Sequence, residues 1–207
     1  MNDPELQEFV GAHKPHDEEE VLKSPAFKRA NAFFDFVELV TFTILAILLI
    51  SCFFFRHTVV DGPSMELTLR NRDHLIISDF MYTPKNGDIV AFEVPSAGNE
   101  SWIKRVIATA GQTVDIRNGI VYVDGVALDE SDYAYYSSPS AKEHINYHVY
   151  AETPIPDGYI FVLGDHRNVS RDSRAIGLVD VRNVLGRVIL RVTPLERFGK
   201  VQSGNLK

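Results

Sequence analysis

The amino-acid sequence predicts a mainly β domain preceded by one transmembrane helix. Two observations indicate this fold class. Leu39–Phe55 is a run of 17 residues without a charge. The chain after it consists of short β-branched runs separated by Gly, Pro, Asn and Asp. The mean hydropathy of −0.07 hides this division, because an acidic N-terminal segment and a polar-surfaced domain offset the apolar run.

The composition excludes several classes of protein. With 45% hydrophobic and 24% charged residues among 207, the chain is neither wholly disordered nor collagen-like. Its single Cys excludes a disulfide scaffold and a cysteine-based zinc finger. The net charge of −7 argues against broad nucleic-acid binding, which needs basic surface to displace counterions from phosphates. We therefore expect no nucleic-acid partner.

The first 30 residues predict a cytosolic acidic tail. They carry a net charge of −3, include the acidic run Asp17–Glu20 and show little periodicity. Such a segment is typical of a disordered, solvated tail.

Residues 31–56 predict a transmembrane anchor helix. As a helix, Leu39–Phe55 spans roughly 26 Å, close to the ~30 Å hydrocarbon core. The run is too long for a signal-peptide core and no A-x-A site follows it, which favours a permanent anchor. Lysines and arginines are more frequent before the run than after it. This bias predicts that the N terminus lies inside and residues 57–207 outside the cytoplasmic membrane.

Residues 57–207 predict a β domain with one loop-rich insertion. Asn118-Gly119 and Asp124-Gly125 are both hairpin signals, so Ile120–Val123 is expected to be a strand between two tight turns. The Tyr- and Ser-rich insertion covers residues 129–152. The other predicted strands lie within residues 75–80, 88–94, 102–110, 114–128, 159–164 and 187–192.

Three segments carry candidate chemistry, and the first contains Ser64. Gly62 and Pro63 predict a defined turn that exposes the Ser64 hydroxyl, although a turn serine after a linker fits the same pattern. Ser64 is eight residues past Arg56, so it lies within roughly 28 Å of the membrane surface. A serine nucleophile needs a base to take its proton.

The second segment offers Lys104 as that base. Strand alternation puts Trp102, Lys104 and Val106 on one face. Burial there would lower the pKa of the lysine from ~10.4 toward 8 and leave a neutral amine. A lysine snorkelling at a strand edge is the alternative. The histidines are weaker candidates, and His144 with His148 lacks a third metal ligand.

The third segment, residues 164–177, is a polar loop between apolar runs, and such a loop must satisfy its own hydrogen bonds. Asp172 and Arg174 are expected to form a charge-assisted pair within it. Ser170 is a candidate for orienting an amine. A self-bonded structural loop also fits this pattern.

Together, GPSMELTL, PKNGDIVAF, WIKRVIATAGQTV and GDHRNVSRDSRAIGLV resemble, in order and spacing, the motifs of bacterial type I signal peptidases. The likeness covers about Val59–Val192, and the single anchor is similar to the Gram-positive form. The resemblance implies that Ser64 is the nucleophile and Lys104 its neutral general base. It further implies that Ser170 orients the amine, that Asp172 and Arg174 hold the site, and that the Ser64 amide stabilises the oxyanion.

The chain departs from the usual family motifs at several positions. Leu67 stands where family members usually have a proline, and His166 stands where asparagine is common. Residues 108–110 replace a typical G-L-P sequence. Gly62 stands where some relatives add a serine hydroxyl to the oxyanion site. None of these departures removes Ser64 or Lys104, so activity is expected. They concern the geometry of the turns after Ser64 and after Lys104, and therefore the range of substrates.

The resemblance implies a membrane-anchored serine endopeptidase that removes signal peptides from exported preproteins. Its partners would be those preproteins and the lipid bilayer, and no cofactor or metal is implied. Residues of the substrate pockets are not assigned, although family members bind an extended peptide with small residues at the −3 and −1 positions. Two alternatives are a Ser–Lys self-cleaving protein and a catalytically degenerate or dedicated module for surface or pilus assembly.

Overall fold

The computed structural model describes residues 24–204. Most of the predicted acidic tail, residues 1–23, lies outside the described residues. The chain separates into two compact units, with the division after Cys52. Among the described residues, the first unit consists mainly of one long helix, and the second contains all the strands together with short helices and loops.

Helix α1, Pro25–Phe54, covers residues 31–54 of the predicted anchor segment 31–56, whose last residue, Arg56, instead begins the first strand. It begins before predicted residue 31 because Ser24 caps it: the Ser24 hydroxyl accepts a hydrogen bond from the Phe27 amide at 3.2 Å, and Pro25 suits a first helical position. Phe27–Phe54 is long and apolar enough to cross a membrane, and its most apolar window is not buried against protein.

The second unit contains an eight-stranded antiparallel sheet and a four-stranded sheet. The large sheet has the order β1-β2-β11-β3-β4-β9-β10, with β12 paired to β11, and the small sheet has the order β7-β6-β5-β8. The strands are β1 Arg56–Val59, β2 His74–Ser78, β3 Ile89–Val94, β4 Glu100–Thr109, β5 Val114–Arg117, β6 Ile120–Val123, β7 Val126–Ala127, β8 Tyr147–Tyr150, β9 Tyr159–Leu163, β10 Val179–Asp180, β11 Val184–Thr193 and β12 Gly199–Lys200. The mainly β fold class predicted from the sequence is confirmed.

Turn chemistry explains the small sheet. Asn118 and Gly119 have φ of 49° and 70°, and Asp124 and Gly125 have φ of 52° and 78°. Two successive positive φ values define type I′ turns, which match the twist of a hairpin. Strand β6 therefore occupies the predicted residues Ile120–Val123.

The segment 129–152, predicted as loop-rich, also contains regular structure. Helix α2, Pro139–Glu143, begins after Ser138, whose hydroxyl accepts a hydrogen bond from the Ala141 amide. Strand β8 then pairs with β5. Its burial does not alternate, because the two end residues are half-buried and the two middle residues are exposed, so the strand lacks the period-two pattern that reveals a strand in a sequence.

Three hydrophobic clusters fill the second unit, and the first positions the Ser64 turn. Met65 and Leu69, which are 1% and 0% exposed, pack with Ile103 of β4 in this cluster. The second cluster joins β5 and β6 to Phe161 of β9. The third contains Val90 and Phe92 of β3, with Trp102 packed against it.

The second cluster gives a test of the packing. Phe161 is fully buried, and its ring centroid lies 5.5 Å from that of Tyr147. We expect Phe161→Ala to lower the free energy of unfolding by about 3–5 kcal/mol, since it removes buried apolar area and leaves a cavity. Phe198→Ala, at a residue 59% exposed, is the matched control and should change it by under ~0.5 kcal/mol. Denaturant unfolding of the full chain in detergent measures both, and equal losses would contradict the assigned core.

Candidate active site

The nucleophile candidate Ser64 lies in a tight turn between β1 and β2. Gly62 has a φ of 87°, and the Glu66 amide donates to the Pro63 carbonyl at 3.0 Å. Met65 on one side of the turn is buried, whereas Ser64 is half-buried. The turn therefore presents the Ser64 hydroxyl while its neighbour anchors the backbone in the core.

Lys104 reaches Ser64 from the middle of β4. Its Nζ lies 2.9 Å from Ser64 Oγ and 3.0 Å from the carbonyl oxygen of Ile103. The residue is 4% exposed, so the alternative of a snorkelling lysine is wrong. Val90 of β3 stands opposite Lys104, and Phe92 stands opposite Trp102. The predicted strand face is thus packed on the third cluster.

Burial dominates the electrostatics of the amine. Removal from water lowers the pKa of Lys104 from 10.5 to about 8, against the opposing attraction of Asp172 and Asp165. The uncharged share of the amine therefore rises from about a tenth at pH 7 to about half at pH 8. A neutral amine can accept the Ser64 hydroxyl proton while one of its own hydrogens is donated to the Ile103 carbonyl.

Asp172 and Arg174 are in contact, in the loop after β9. Arg174 donates to Asp172 from Nε at 2.8 Å and from Nη2 at 2.7 Å, and Asp172 is fully buried. Asp172 also accepts from the Gly164 amide at 3.0 Å and caps the one-turn helix α3, Ser173–Ile176. Arg174 Nη2 donates to the Arg167 carbonyl at 2.7 Å. The pair therefore closes the loop on itself.

Ser170 lies beside the Ser64 turn but makes no hydrogen bond to Lys104. Its Oγ is buried, and no partner for it lies within residues 24–204. A Cβ built on Gly164 would lie 2.1 Å from Ser170 Oγ and 2.6 Å from the Ser64 carbonyl oxygen. Only glycine at 164 lets these two segments come so close. The predicted contact between Ser170 and the amine is absent from this arrangement.

A buried ion pair that the sequence did not reveal joins the three segments. Arg105, next to Lys104, donates to both carboxylate oxygens of Asp165 at 2.8 Å. Thr68, in the turn after Ser64, donates its hydroxyl to Asp165 at 2.6 Å. The only sequence signal was two adjacent cations inside an apolar strand. Asp165 and Arg105 are 0% and 1% exposed, so the contact is fully removed from water.

Backbone groups complete the site. The His166 amide donates to the Ser64 carbonyl at 3.1 Å, and the His166 ring lies against Ser137 with Nε2 2.9 Å from its Oγ. The Gly62 amide donates to Asn71 Oδ1 at 3.1 Å. Among the bonds within residues 24–204, none uses the Ser64 amide as donor, so that N–H is free for an oxyanion.

Two of the departures from the usual motifs take a definite form. Leu67 has a φ of 61°, which a proline cannot adopt, so the turn after Ser64 follows a different backbone path. Ala108 and Thr109 lie within β4 and pair with β9, past an irregularity in register after Val106.

In the described part of the chain, no group of three His, Cys, Asp or Glu side chains is arranged to hold a metal.

Comparison with known proteins agrees with the predicted resemblance. A family model described as signal peptidase, peptidase S26, matches residues 33–193. A probable signal peptidase I-1 of Synechocystis sp. is 32% identical over 180 residues, covering 81% of this chain and 86% of that protein. A signal peptidase I of Bacillus caldolyticus is 33% identical over 154 residues, covering 70% of this chain and 84% of that protein.

Among solved structures, a crystal structure of a signal peptidase I from Enterococcus faecalis aligns with a TM-score of 0.42 and 28% identity, covering 51% of this chain and 97% of that one. The family match extends from within α1 to the end of β11, and so includes Ser64, Lys104 and the loop after β9. The chain belongs to the signal peptidase family, peptidase S26.

Proposed function

We propose that this protein is a membrane-anchored serine endopeptidase that cleaves N-terminal signal peptides from exported preproteins, with Ser64 as nucleophile and neutral Lys104 as general base. The observation that carries the proposal is the 2.9 Å contact between the buried Lys104 amine and the Ser64 hydroxyl. Family membership and relatives named signal peptidase I support the substrate class.

The chemistry follows from this contact. Ser64 Oγ attacks the scissile carbonyl carbon as its proton moves to Lys104 Nζ, and the Ser64 amide donates to the oxyanion. Lys104 then gives the proton to the leaving amine as the C–N bond breaks, which leaves an ester on Ser64. Lys104 next takes a proton from water, whose oxygen attacks the ester carbon. Collapse of the second intermediate frees the signal peptide and returns the proton to Ser64.

Ser170, Asp172 and Arg174 have supporting roles in this proposal. The buried Ser170 hydroxyl lies beside the Ser64 turn and makes no hydrogen bond within residues 24–204, so it is available to orient the Lys104 amine. Asp172 and Arg174 hold the loop that carries Ser170. Asp172 also favours the charged amine, which stabilises the ammonium formed during the reaction.

We also propose that α1 anchors the protein in the cytoplasmic membrane with its N terminus inside and the β unit outside. The apolar span Phe27–Phe54 and the excess of cations before it support this orientation. Signal peptides of exported proteins reach the outer leaflet, so an external Ser64 tethered within roughly 28 Å of the membrane meets them there.

The role of the dyad is tested by substitution. We expect Ser64→Ala and Lys104→Met each to lower kcat by at least ~10³-fold, because each removes one partner of a single proton transfer. Ser170→Ala should lower kcat by about tenfold or more with KM retained. The measurement is processing of an exported preprotein by detergent-solubilised enzyme.

Two exposed residues of the 129–152 segment, Ser131 and Lys142, provide matched serine and lysine controls, and their alanine variants should process normally. A degenerate module would show no processing by any form, and a self-cleaving protein would cut itself but not the preprotein. Equal processing by the wild type and by Ser64→Ala would refute the proposed nucleophile.

The pH dependence follows from the state of Lys104. The base must be uncharged, and the pKa of Lys104 in the free enzyme is about 8. We therefore expect kcat/KM to rise with pH, to reach half its plateau near pH 8, and to fall about tenfold for each unit well below that. A profile of kcat/KM against pH on a peptide without titrating groups measures this. A midpoint near 10.4 would contradict a desolvated lysine.

The proposed orientation predicts which part of the chain an external protease reaches. In intact spheroplasts, added protease should degrade the β unit and leave a fragment that contains residues 1–23 and α1. Disruption of the membrane should remove the protection of the N-terminal tail. Protection of the β unit in intact spheroplasts would reverse the orientation.

A further inference from the structure

The cover over the Lys104 amine contains the one tryptophan of the chain. The Trp102 ring centroid lies 5.4 Å from Lys104 Nζ. The indole Nε1 donates to the Glu100 carboxylate at 3.1 Å, and the guanidinium carbon of Arg171 lies 5.6 Å from the same ring centroid. We refer to Glu100, Trp102 and Arg171 as the Trp102 clasp.

The clasp stands where the sheet gives the ring little support. Strand β9 pairs with β4 from Arg105 to Thr109, so the part of β4 that carries Glu100 and Trp102 has β3 on one side and no register partner in β9. Trp102 is half-buried, whereas Lys104 beneath it is 4% exposed. An indole on an open edge is held by its N–H and by cations on its π face. Glu100 and Arg171 supply these two contacts.

We propose that Glu100 and Arg171 are positioning residues that hold the Trp102 indole over the Lys104 amine and so exclude water from it. This inference rests on the proposed function of Lys104 as general base. Neither Glu100 nor Arg171 contacts a reacting atom. They act through the ring, by setting how completely the amine is desolvated and therefore the pH range in which it is an effective base.

The charged groups around the Lys104 amine allow the positioning role of Glu100 and Arg171 to be distinguished from a direct electrostatic effect of their own charges on the amine. From the loop after β9, Asp172 and Asp165 favour the charged amine, and burial opposes them. Two uncharged residues also face the amine: Val90, which is paired opposite Lys104 in strand β3, and Ser64 of the nucleophile turn. Farther along that turn, Glu66 faces His166, with 3.4 Å between its Oε2 and Nδ1.

Glu100 is therefore the informative residue. If its carboxylate acted on the amine through space, its removal would lower the pKa of Lys104, because an anion favours the ammonium. If it acts by holding the indole, its removal admits water and raises that pKa. The two effects have opposite signs. Loss of Arg171 raises the pKa by either route, so Arg171 supports the clasp but does not discriminate.

The experiment compares pH profiles of kcat/KM for the full-length enzyme and its variants in detergent. We expect Glu100→Ala and Arg171→Ala to move the midpoint of the acidic limb upward by roughly 0.5–1 pH unit. Glu100→Gln keeps an acceptor for the indole N–H and should remain closer to the wild type. Arg182→Ala is the matched control, since Arg182 is 84% exposed and pairs with Asp180. It should leave the midpoint unchanged.

Trp102 provides a second readout that does not depend on cleavage. As the only tryptophan, it reports its own surroundings, so its emission should shift to longer wavelength in Glu100→Ala and Arg171→Ala but not in Arg182→Ala. Its emission in the wild type should titrate with the same midpoint as the acidic limb, and Lys104→Met should abolish that titration. In a Trp102→Leu background, Glu100→Ala should no longer raise the midpoint.

The outcomes separate this inference from the proposed function. An unchanged or lowered midpoint in Glu100→Ala, by activity or by Trp102 titration, overturns the clasp. Absence of preprotein cleavage by the wild-type enzyme would overturn the proposed function alone, because the Trp102 titration still tests the clasp. If Glu100→Ala does not fold, an Arg171→Ala variant whose Trp102 emission is identical to that of the wild type overturns the clasp as well.

Discussion

The site depends on the burial of one lysine amine against one serine hydroxyl. A charged Lys104 would be a donor only and could not take the Ser64 proton, so the fold must make the charged form unfavourable without moving the amine away. Cluster packing on β3 and the indole of Trp102 remove water from Nζ, whereas Asp172 and Asp165 oppose full neutralisation. The resulting pKa of about 8 is a balance between desolvation, to which Trp102 of β4 itself contributes, and attraction by two carboxylates from the loop after β9.

The second requirement is to hold three remote segments at hydrogen-bond distance, and the Arg105–Asp165 pair meets it. Arg105 lies in β4 next to Lys104, and Asp165 lies at the start of the loop after β9. Thr68 joins the nucleophile turn to the same carboxylate through its hydroxyl. A buried ion pair is expensive to desolvate and is useful mainly when every acceptor is satisfied and a unique arrangement is needed. Both conditions hold here, so the pair fixes the relative positions of Ser64 and Lys104.

Local chemistry made part of this arrangement predictable. The two I′ turns around β6, the apolar run of α1 and the alternation that puts Lys104 on the face of Trp102 each follow from residues within a few positions of one another. The pairing of Arg105 with Asp165 joins residues sixty positions apart, and no local pattern encodes it. Strands β1 and β8 were missed for a related reason: each is stabilised by a partner strand rather than by its own alternation. The structure also leaves Ser170 without the bond to Lys104 that the motif resemblance implied.

The turn after Ser64 illustrates how such remote contacts can replace a local one. The related motifs usually have a proline where this chain has Leu67, and a proline fixes φ near −65°. Leu67 instead has a φ of 61° and is 58% exposed, so it contributes neither rigidity nor core packing. The turn is held by its neighbours: Met65 and Leu69 are buried in the first cluster, and Thr68 is bonded to Asp165. The placement of Ser64 is therefore a property of buried anchors on either side of Leu67, which is why the departure at that position leaves the contact with Lys104 intact.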